Sequence, residues 1–243
     1  MRVAVIGGTG LIGSRVVEDL KAAGHDAVPH SLSTGVDVVS GRGLPEAVAG
    51  ADTVVNLTNS PTFDESSAAF FQTSMDNALA ASGKAGVRHF VILSIVGAEK
   101  VPDLAYYRAK VLQERVLEAG PVPYSIVRAT QFMEFIDAVL SWTTDGDTVR
   151  LPRTPLQPIA AADVARFVAE VAAGEPLNGI VNVAGPGVHP LDELGRITLD
   201  SADDGRSVVT DDRAGLFSAV PGDVLTAPGD ARIAPTAYAD WLS

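Results

Sequence analysis

The chain opens with Arg2-Val-Ala-Val-Ile-Gly-Gly-Thr-Gly-Leu-Ile-Gly13, and this stretch decides the fold. Val3–Ile6 is a short apolar run without polar alternation, which is typical of a strand buried on both faces of a parallel sheet. An amphipathic stretch follows, so the glycines fall where a strand turns into a helix. There Gly7 permits the tight turn, Gly10 lets backbone N–H groups approach a pyrophosphate, and Gly13 lets the helix pack on the strand. The stretch predicts a dinucleotide-binding turn with the phosphates at the positive end of the helix; an ordinary glycine-rich turn is the alternative.

The rest of the chain alternates apolar runs of strand type with helical patterns. Strands that alternate with helices predict an α/β fold, a doubly wound parallel sheet with helices on both faces. The further strands expected are Asp26–Ser31, Val36–Ser40, Thr53–Thr58, Phe90–Ser94, Tyr124–Arg128 and Ile180–Val183. The helices expected after the first are Leu44–Ala49, Ser66–Ala81, Tyr106–Glu118, Gln131–Trp142, Asp163–Ala173 (capped by Asp163) and Leu191–Leu199.

We expect one domain over residues 1–243, since no linker or repeat interrupts the chain. Its core is expected at about 1–130 plus 158–184. Residues 131–157 and 185–243 are expected to form a small C-terminal substrate lobe over the carboxyl ends of the strands, where ligands bind in such sheets.

The composition narrows the classes of function. Eighteen Lys and Arg against 30 Asp and Glu give a net charge of −12, which argues against nucleic acid and anionic membranes as partners. The chain has no cysteine, so disulfides and thiolate catalysis are excluded. Its four histidines lack the spacing of a metal site. We expect a cytoplasmic protein, a monomer or homodimer, that binds a small apolar molecule and no metal.

Tyr106 and Lys110 carry the most specific chemistry of the later sequence. They are four residues apart on an expected helix, so they share one face. A cation within about 4–6 Å lowers the pKa of a phenol, which makes a tyrosine a better general acid near neutral pH. The pair therefore predicts a catalytic Tyr106 assisted by Lys110; a surface tyrosine beside a solvated lysine is the alternative.

Four stretches together resemble the short-chain dehydrogenase/reductase superfamily, and most of all its atypical, NmrA-like group of NAD(P)-binding proteins. They are Gly7–Gly13, the Tyr106/Lys110 pair, Val127-Arg-Ala-Thr-Gln-Phe-Met133 and Gln157-Pro-Ile-Ala-Ala-Ala-Asp-Val-Ala165. The resemblance covers about residues 1–200. It implies a Rossmann fold, a nicotinamide cofactor and, in many members, hydride transfer to a carbonyl or quinone; some members bind the nucleotide as regulators without turnover.

The resemblance also implies roles for individual residues. Tyr106 would protonate the carbonyl oxygen, and Lys110 would hold the nicotinamide ribose and lower the pKa of Tyr106. Ser94 would orient the carbonyl, although the register leaves Val96 as the alternative occupant of that position.

Residues at the expected strand ends complete the predicted site. Thr58 and Asn59 follow one strand beside the cofactor, and Thr130, Gln131 and Phe132 follow another where the fold meets the nicotinamide amide. Phe132, Met133, Phe135, Ile136 and Trp142 form an apolar wall suited to a quinone or aromatic ketone, or else ordinary core. The cofactor-binding set is Gly7, Thr9, Gly10, Leu11, Ile12, Gly13, Ser31, Ser33, Thr58, Asn59, Lys110 and Thr130, and the substrate-binding set is Gln131, Phe132, Phe135 and Trp142.

The choice between NAD and NADP depends on the segment His30-Ser-Leu-Ser-Thr34 after the second strand. An NAD site needs an acid there for the ribose diol, and this segment has none. Leu32 stands about where related NADP-binding proteins carry an arginine. Ser31, Ser33, a charged His30 or Arg15 are left to bind the 2′-phosphate, so the sequence slightly favours NADP over NAD.

Three functions follow from these features. The Tyr106/Lys110 pair favours an NAD(P)H-dependent oxidoreductase that reduces a small apolar carbonyl or quinone. A non-catalytic NAD(P)-binding regulator is the alternative. A sugar-nucleotide epimerase or dehydratase ranks last, because the C-terminal residues show no basic cluster for a second pyrophosphate.

Overall fold

The computed structural model describes all residues, 1–243. The strands are β1 (Arg2–Ile6), β2 (Asp26–His30), β3 (Thr53–Asn56), β4 (His89–Ile95), β5 (Tyr124–Ala129), β6 (Thr144–Asp145), β7 (Thr148–Leu151), β8 (Pro155–Leu156), β9 (Gly179–Ala184), β10 (His189–Pro190), β11 (Ser207–Thr210) and β12 (Arg232–Ile233). The α-helices are α1 (Leu11–Ala22), α2 (Leu44–Val48), α3 (Ser66–Ala85), α4 (Ala105–Glu118), α5 (Ile136–Trp142), α6 (Ala161–Ala173), α7 (Leu191–Ser201) and α8 (Tyr238–Trp241).

A seven-stranded sheet in the order β12-β9-β5-β4-β3-β1-β2 forms the centre of the fold. β1 pairs in parallel with β2 and with β3, and β3 pairs in parallel with β4. Three residues of β1 and two of β3 are fully buried, as the unbroken apolar runs predict. The predicted α/β fold, a Rossmann-type parallel sheet, is confirmed.

The chain divides into two compact units. The first comprises residues 1–94, 105–128 and 164–181, and the second comprises 95–104, 129–163 and 182–243. Both stretches that the sequence assigns to the substrate lobe belong to the second unit.

The first unit has a core of aliphatic and aromatic side chains between the sheet and its helices. Met75 and Leu79 on α3 pack with Ile6 of β1, Phe90 of β4 and Ile126 of β5. α3 presents these residues at threes and fours, the spacing of one helix face. The strands are thereby fixed with their carboxyl ends at one edge, where the candidate site lies.

The strand predicted over Val36–Ser40 is absent. The Asp37 carboxylate accepts hydrogen bonds from the backbone N–H of Val39 (2.9 Å) and from the Ser40 hydroxyl (2.8 Å). Such local side-chain bonds stabilise a turn at the expense of a strand ladder. The chain consequently runs from β2 to β3 without forming another strand of the sheet.

Two predicted helix boundaries also need correction. The helix expected over residues 131–142 is a short 3-10 turn (Met133–Phe135) followed by α5. The helix α6 begins at Ala161, so Asp163 lies inside its first turn and is not its N-cap. The Glu134 carboxylate accepts the hydrogen bond of the Ala161 N–H at 3.0 and 3.2 Å, and so performs the capping.

Candidate nucleotide site and its surroundings

In the glycine turn after β1, backbone atoms crowd Gly7 and Gly13, whereas Gly10 has open space beside it. A Cβ on Gly7 (φ +81°) would lie 2.8 Å from the Leu57 carbonyl carbon, and one on Gly13 would lie 2.1 Å from the Gly7 oxygen. A Cβ on Gly10 would meet only the Gly7 oxygen, at 3.4 Å. Packing therefore requires glycine at 7 and 13, whereas the fold itself leaves room at Gly10.

Gly8 is a further close-packed glycine, and the three-glycine pattern did not identify it. Its Cβ would lie 2.6 Å from the Val5 oxygen and 2.7 Å from Pro29 Cα. β1 and β2 thus approach the turn so closely that no side chain fits.

The start of α1 is the feature of this turn that suits an anion. Gly10 is its N-cap, in an extended conformation, and no side chain caps the helix. The first-turn N–H groups and the helix dipole are therefore available to a phosphate. Beside them is a cleft of about 400 Å³ lined by Thr9, Gly10, Leu11, Ser14, Arg15 and Glu18. The residues present fit a dinucleotide pyrophosphate.

In the segment after β2, the side chains of Ser31 and Ser33 are hydrogen-bonded to each other. The hydroxyls of Ser31 and Ser33 are 2.8 Å apart, and Thr34 closes a turn back onto the Ser31 backbone. Burial is the main cause that lowers the pKa of His30, with Arg2 adding to it, and both disfavour the charged imidazole. The charged His30 that the sequence offered to a 2′-phosphate is therefore not supported, which leaves Arg15 as the cation of the cleft.

Asn56, at the end of β3, organises the loop that faces the glycine turn. Its amide oxygen accepts hydrogen bonds from the N–H (3.1 Å) and the hydroxyl (2.8 Å) of Thr58. The Thr58 nitrogen in turn lies 3.0 Å from the Cβ position of Gly7. Thr58 is thus placed beside the glycine turn by a buried asparagine that the sequence analysis did not single out, and its contact with a cofactor stays a prediction.

Tyr106 is directed at Asn59. Its hydroxyl donates to the Asn59 amide oxygen at 2.5 Å, and its ring lies 4.9 Å from that of Phe63 and 6.1 Å from that of Phe71. The same amide oxygen accepts the Ser60 N–H at 3.0 Å, which fixes the orientation of the amide. Burial raises the pKa of Tyr106 to about 12.

Lys110 shares the helix of Tyr106 but turns to other partners. Its ammonium donates to the Leu93 carbonyl at 2.7 Å and to the Gln113 amide oxygen, and lies 4.8 Å from the centre of the Phe71 ring. Burial lowers the pKa of Lys110 to about 7. The expected lowering of the Tyr106 pKa by Lys110 is therefore wrong for this conformation, in which the pKa of Tyr106 is raised.

Ser94, Thr130 and Gln131 share an unusual property. All three are at least 93 % buried, and the Ser94 hydroxyl, the Thr130 hydroxyl and both amide atoms of Gln131 make no hydrogen bond within the protein. A buried polar group without a partner is costly, and such groups call for an explanation such as a bound molecule. Ser94 lies in the first unit, and Thr130 and Gln131 in the second.

The predicted apolar wall divides into two kinds of residue. Met133 and Ile136 are fully buried core. Phe135 is partly exposed and packs edge-on against Trp142, with ring centres 5.3 Å apart, while Trp142 is 56 % exposed. Phe132 is also partly exposed, and its backbone forms a parallel bridge with Ile159. Phe217, which the sequence analysis missed, joins the cluster 6.4 Å from Phe135.

Comparison with known proteins identifies the family. The chain matches the NAD(P)H-binding family over residues 7–175, well over half of its length. It belongs to that family. The match includes the glycine turn, the Asn59 loop and the Tyr106 helix, and it confirms the predicted NAD(P)-binding family.

Several of the proteins that this chain resembles are reductases. The chain is 32 % identical over 154 residues to the (4-alkanoyl-5-oxo-2,5-dihydrofuran-3-yl)methyl phosphate reductase of Streptomyces griseus, covering 58 % of this chain and 50 % of that one. Among solved structures, the triphenylmethane reductase of Citrobacter sp. with NADP(H) has a TM-score of 0.66 at 19 % identity, covering 87 % and 79 % of the two chains. The NADPH-dependent quinone oxidoreductase of Escherichia coli with NADPH has a TM-score of 0.69 at 19 % identity, covering 87 % and 78 %.

These similarities support different conclusions about the chain. The chain spans about half the length of the Streptomyces relative, so the activity of that protein is not transferred. The two solved structures share the fold with this chain. None of the helices here is both long enough and apolar enough to cross a bilayer.

Proposed function

We propose that this protein is an NAD(P)H-dependent oxidoreductase that reduces a small, flat, apolar carbonyl or quinone. The observation that carries the proposal is the glycine turn, which is closed by backbone at Gly7 and Gly13 and open at Gly10. The named reductases among its relatives and structural neighbours support the same class.

The residues proposed to hold the cofactor come from three segments. Gly7, Thr9, Gly10, Leu11, Ile12 and Gly13 form the phosphate turn, Thr58 and Asn59 the neighbouring loop, and Ser31 and Ser33 the segment after β2. Thr130 and Lys110 are proposed to meet the nicotinamide end. The cofactor supplies a hydride, and the protein's task is to bind it, orient the acceptor and deliver a proton.

Tyr106 is the proposed proton donor. Burial raises its pKa to about 12, which keeps it protonated in the neutral range but makes it a weaker acid than an ordinary tyrosine. The assignment therefore rests on its place on α4, four residues before Lys110, and not on its pKa. Ser94 is proposed to orient the acceptor oxygen, since its buried hydroxyl has no partner. Gln131, Phe132, Phe135 and Trp142 are proposed to contact the acceptor. For Lys110 we propose only a contact with the nicotinamide ribose of the cofactor.

We propose NADPH as the preferred cofactor because the segment after β2 has no acid for a ribose diol and the cleft at α1 contains Arg15. NADPH is expected to bind at least as tightly as NADH in a fluorescence titration. Arg15→Gln is expected to weaken NADPH more than NADH, because only NADPH carries the 2′-phosphate. A clear preference of the parent for NADH would refute the assignment.

The decisive experiment compares Gly10→Val with the parent. The fold has room for a Cβ at this position, but a side chain there fills the space that a pyrophosphate needs. We therefore expect loss of NADPH binding in a folded protein, with a melting temperature lowered only by the poorer N-cap. Gly205→Val, at an exposed loop position with a negative φ and nothing within 4 Å, is the control. The site is wrong if Gly10→Val binds both nucleotides with unchanged affinity. Consumption of NADPH with a panel of quinones and aromatic aldehydes then tests turnover.

A nucleotide-binding regulator without turnover is the second candidate. It is favoured by one observation, that the Lys110 ammonium is engaged with Leu93 and Gln113 while Tyr106 is engaged with Asn59. If the protein binds NADPH tightly and consumes none with any acceptor of the panel, this second function replaces the first.

A further inference from the structure

The C-terminal residues, to which the sequence assigns no role, build one wall of an apolar pocket within the second unit. The pocket has a volume of about 190 Å³. The end of α5, the end of β7 and the start of α7 form one side, and residues 214–217 form the other. Its main apolar side chains are Val139, Trp142, Leu151, Leu191, Leu216 and Phe217.

Two contacts hold the wall of residues 214–217 in place. Arg153 binds the Asp212 carboxylate through two nitrogens, at 3.3 and 2.5 Å. The Thr154 hydroxyl donates to the Phe217 carbonyl at 2.8 Å. The pocket is therefore formed before any ligand arrives, which reduces the ordering cost of binding.

The chemistry of the lining restricts the ligand. No lining residue is charged, and the only side-chain hydroxyl, that of Thr143, already donates to the Val139 carbonyl at 2.8 Å. A charged or strongly hydrogen-bonding ligand would lose its water without compensation. Trp142 and Leu216 stand 56 % and 44 % exposed at the pocket, an apolar surface that a bound molecule would cover.

We propose that this pocket binds the ring system of the acceptor, an uncharged planar aromatic of one or two rings. A cavity of about 150 Å³ accepts benzene, so this volume suits a group of one or two rings. Phe135, which packs on both Trp142 and Phe217, joins the pocket to the segment of the unpartnered Gln131 within the same unit. That the bound ring belongs to the hydride acceptor rests on the proposed function. Binding of such a ring in the pocket does not require turnover.

The chain offers a direct reporter for this pocket. It has two tryptophans, and Trp241 stacks on Tyr238 instead of lining the pocket. Trp241→Phe therefore leaves Trp142 as the sole indole. We would titrate this single-tryptophan protein with 1,4-naphthoquinone without NADPH, using free N-acetyltryptophanamide to correct for absorption. No cysteine is present to form adducts with the quinone.

Saturable quenching of Trp142 is expected, with at least tenfold weaker binding of 1,4-naphthoquinone-2-sulfonate, which has the same rings and a negative charge. Leu216→Asp is expected to weaken naphthoquinone at least tenfold. Leu177→Asp, at a similarly exposed leucine of the first unit, is the matched control and should leave binding unchanged. Ala214→Phe, which fills the pocket without adding charge, should act like Leu216→Asp and covers the case in which Leu216→Asp does not fold.

Quenching that stays linear in quinone, or that Leu216→Asp and Ala214→Phe leave unchanged, overturns the pocket. The outcomes for the proposed function are separate. Binding without NADPH consumption would support the pocket and overturn the reductase. Consumption with a KM for naphthoquinone that neither variant changes would support the reductase and overturn the pocket.

Discussion

At the scale of single residues, the glycines of the first turn differ in whether the surrounding backbone leaves room for a side chain. A Cβ on Gly13 would lie 2.1 Å from backbone, whereas one on Gly10 would touch only the Gly7 oxygen at 3.4 Å. The spacing of three glycines is visible in the sequence, but this difference between them appears only in the structure. It separates a glycine required by packing from one left open for a ligand.

Gly13→Ala is therefore expected to destabilise the protein more than Gly10→Ala. The new methyl at 13 would force α1 away from the turn, with an expected loss of about 1–3 kcal/mol. At position 10 the backbone is extended and has room for a methyl group, so the expected loss is only that of a poorer N-cap, about 0.5–1 kcal/mol. Urea unfolding of both variants measures the contrast. Equal losses at the two positions would show that Gly10 is also a packing residue.

Tyr106→Phe is the corresponding test of chemistry. It keeps the ring contacts with Phe63 and Phe71 and removes only the hydroxyl, so kcat for an aromatic aldehyde should fall about 10²–10⁴-fold while NADPH affinity is nearly unchanged. Quinone reduction should fall less, because a quinone needs less help from a protein acid. Parent-like aldehyde reduction by Tyr106→Phe would remove Tyr106 from the proposal.

Asn59 supplies a control at the same hydrogen bond. Asn59→Ala removes the acceptor of the Tyr106 proton and leaves the tyrosine in place. If Tyr106 is the acid, this variant should lower kcat for the aldehyde less than Tyr106→Phe, and the double variant should be no worse than Tyr106→Phe alone.

The spacing of Tyr106 and Lys110 shows the limit of sequence reasoning at this scale. Helical periodicity correctly places both residues on α4, four positions apart. It does not fix the rotamers of a long side chain, and the Lys110 ammonium turns towards Leu93 and Gln113. The direction of both pKa shifts follows from that burial, which no spacing rule contains.

At the scale of elements, the sequence predicts apolar strands well and polar boundaries poorly. The unbroken apolar runs became β1, β3 and β4 with small changes at their ends. Val36–Ser40 has a similar composition, but the Asp37 carboxylate binds the backbone two residues on and makes a turn. The cap of α6 was also missed, because it comes from Glu134, whose carboxylate accepts a hydrogen bond from the N–H of Ala161, 27 residues later in the chain.

Glu134→Ala is expected to lower the free energy of unfolding by about 1 kcal/mol, through loss of the cap at Ala161. Glu134→Gln keeps an amide oxygen in the same place and should cost less, the remainder being the charge at the helix N-terminus. Equilibrium urea denaturation of the two variants measures both. A loss in Glu134→Gln equal to that in Glu134→Ala would show that charge, not the hydrogen bond, stabilises α6.

At the scale of the whole molecule, the family and the sheet were predictable from local motifs and from the alternation of strands and helices, whereas the pocket was not. A strand, a glycine turn and a helix are local features that sequence periodicity contains. The pocket joins α5 and β7 to residues 214–217, about 60 to 75 positions later, through bonds such as Arg153 to Asp212. The C-terminal residues carry no periodic pattern from which such contacts follow.

Folding stability should depend on pH through Lys110. In the unfolded chain this ammonium keeps its proton up to its ordinary pKa of 10.5, but burial lowers the pKa in the folded protein to about 7. Between these values the unfolded state binds more protons, so stability falls as the pH drops from 10.5 to 7. Below about pH 7 the penalty is complete and constant. Tyr106, with a pKa of about 12, does not titrate in this window.

Lys110→Met should therefore raise the melting temperature most at low pH. The neighbouring carboxylate of Glu114 favours the charged lysine but is shared with the Arg128 guanidinium, which binds it through two nitrogens at 2.8 and 2.6 Å. We expect a gain on the order of a few kcal/mol at pH 6.5, equivalent to about 2–4 °C per kcal/mol for a chain of this size, and a much smaller gain at pH 9.5. Thermal melts at the two pH values measure it.

A gain that is the same at both pH values would mean that Lys110 is not the titrating group. A pH-dependent gain accompanied by weaker NADPH binding would show that a residue used for the nucleotide is retained against its cost in stability, as functional sites commonly are. A pH-dependent gain with unchanged NADPH binding would remove Lys110 from the proposed ribose contact and leave the glycine turn as the basis of nucleotide affinity.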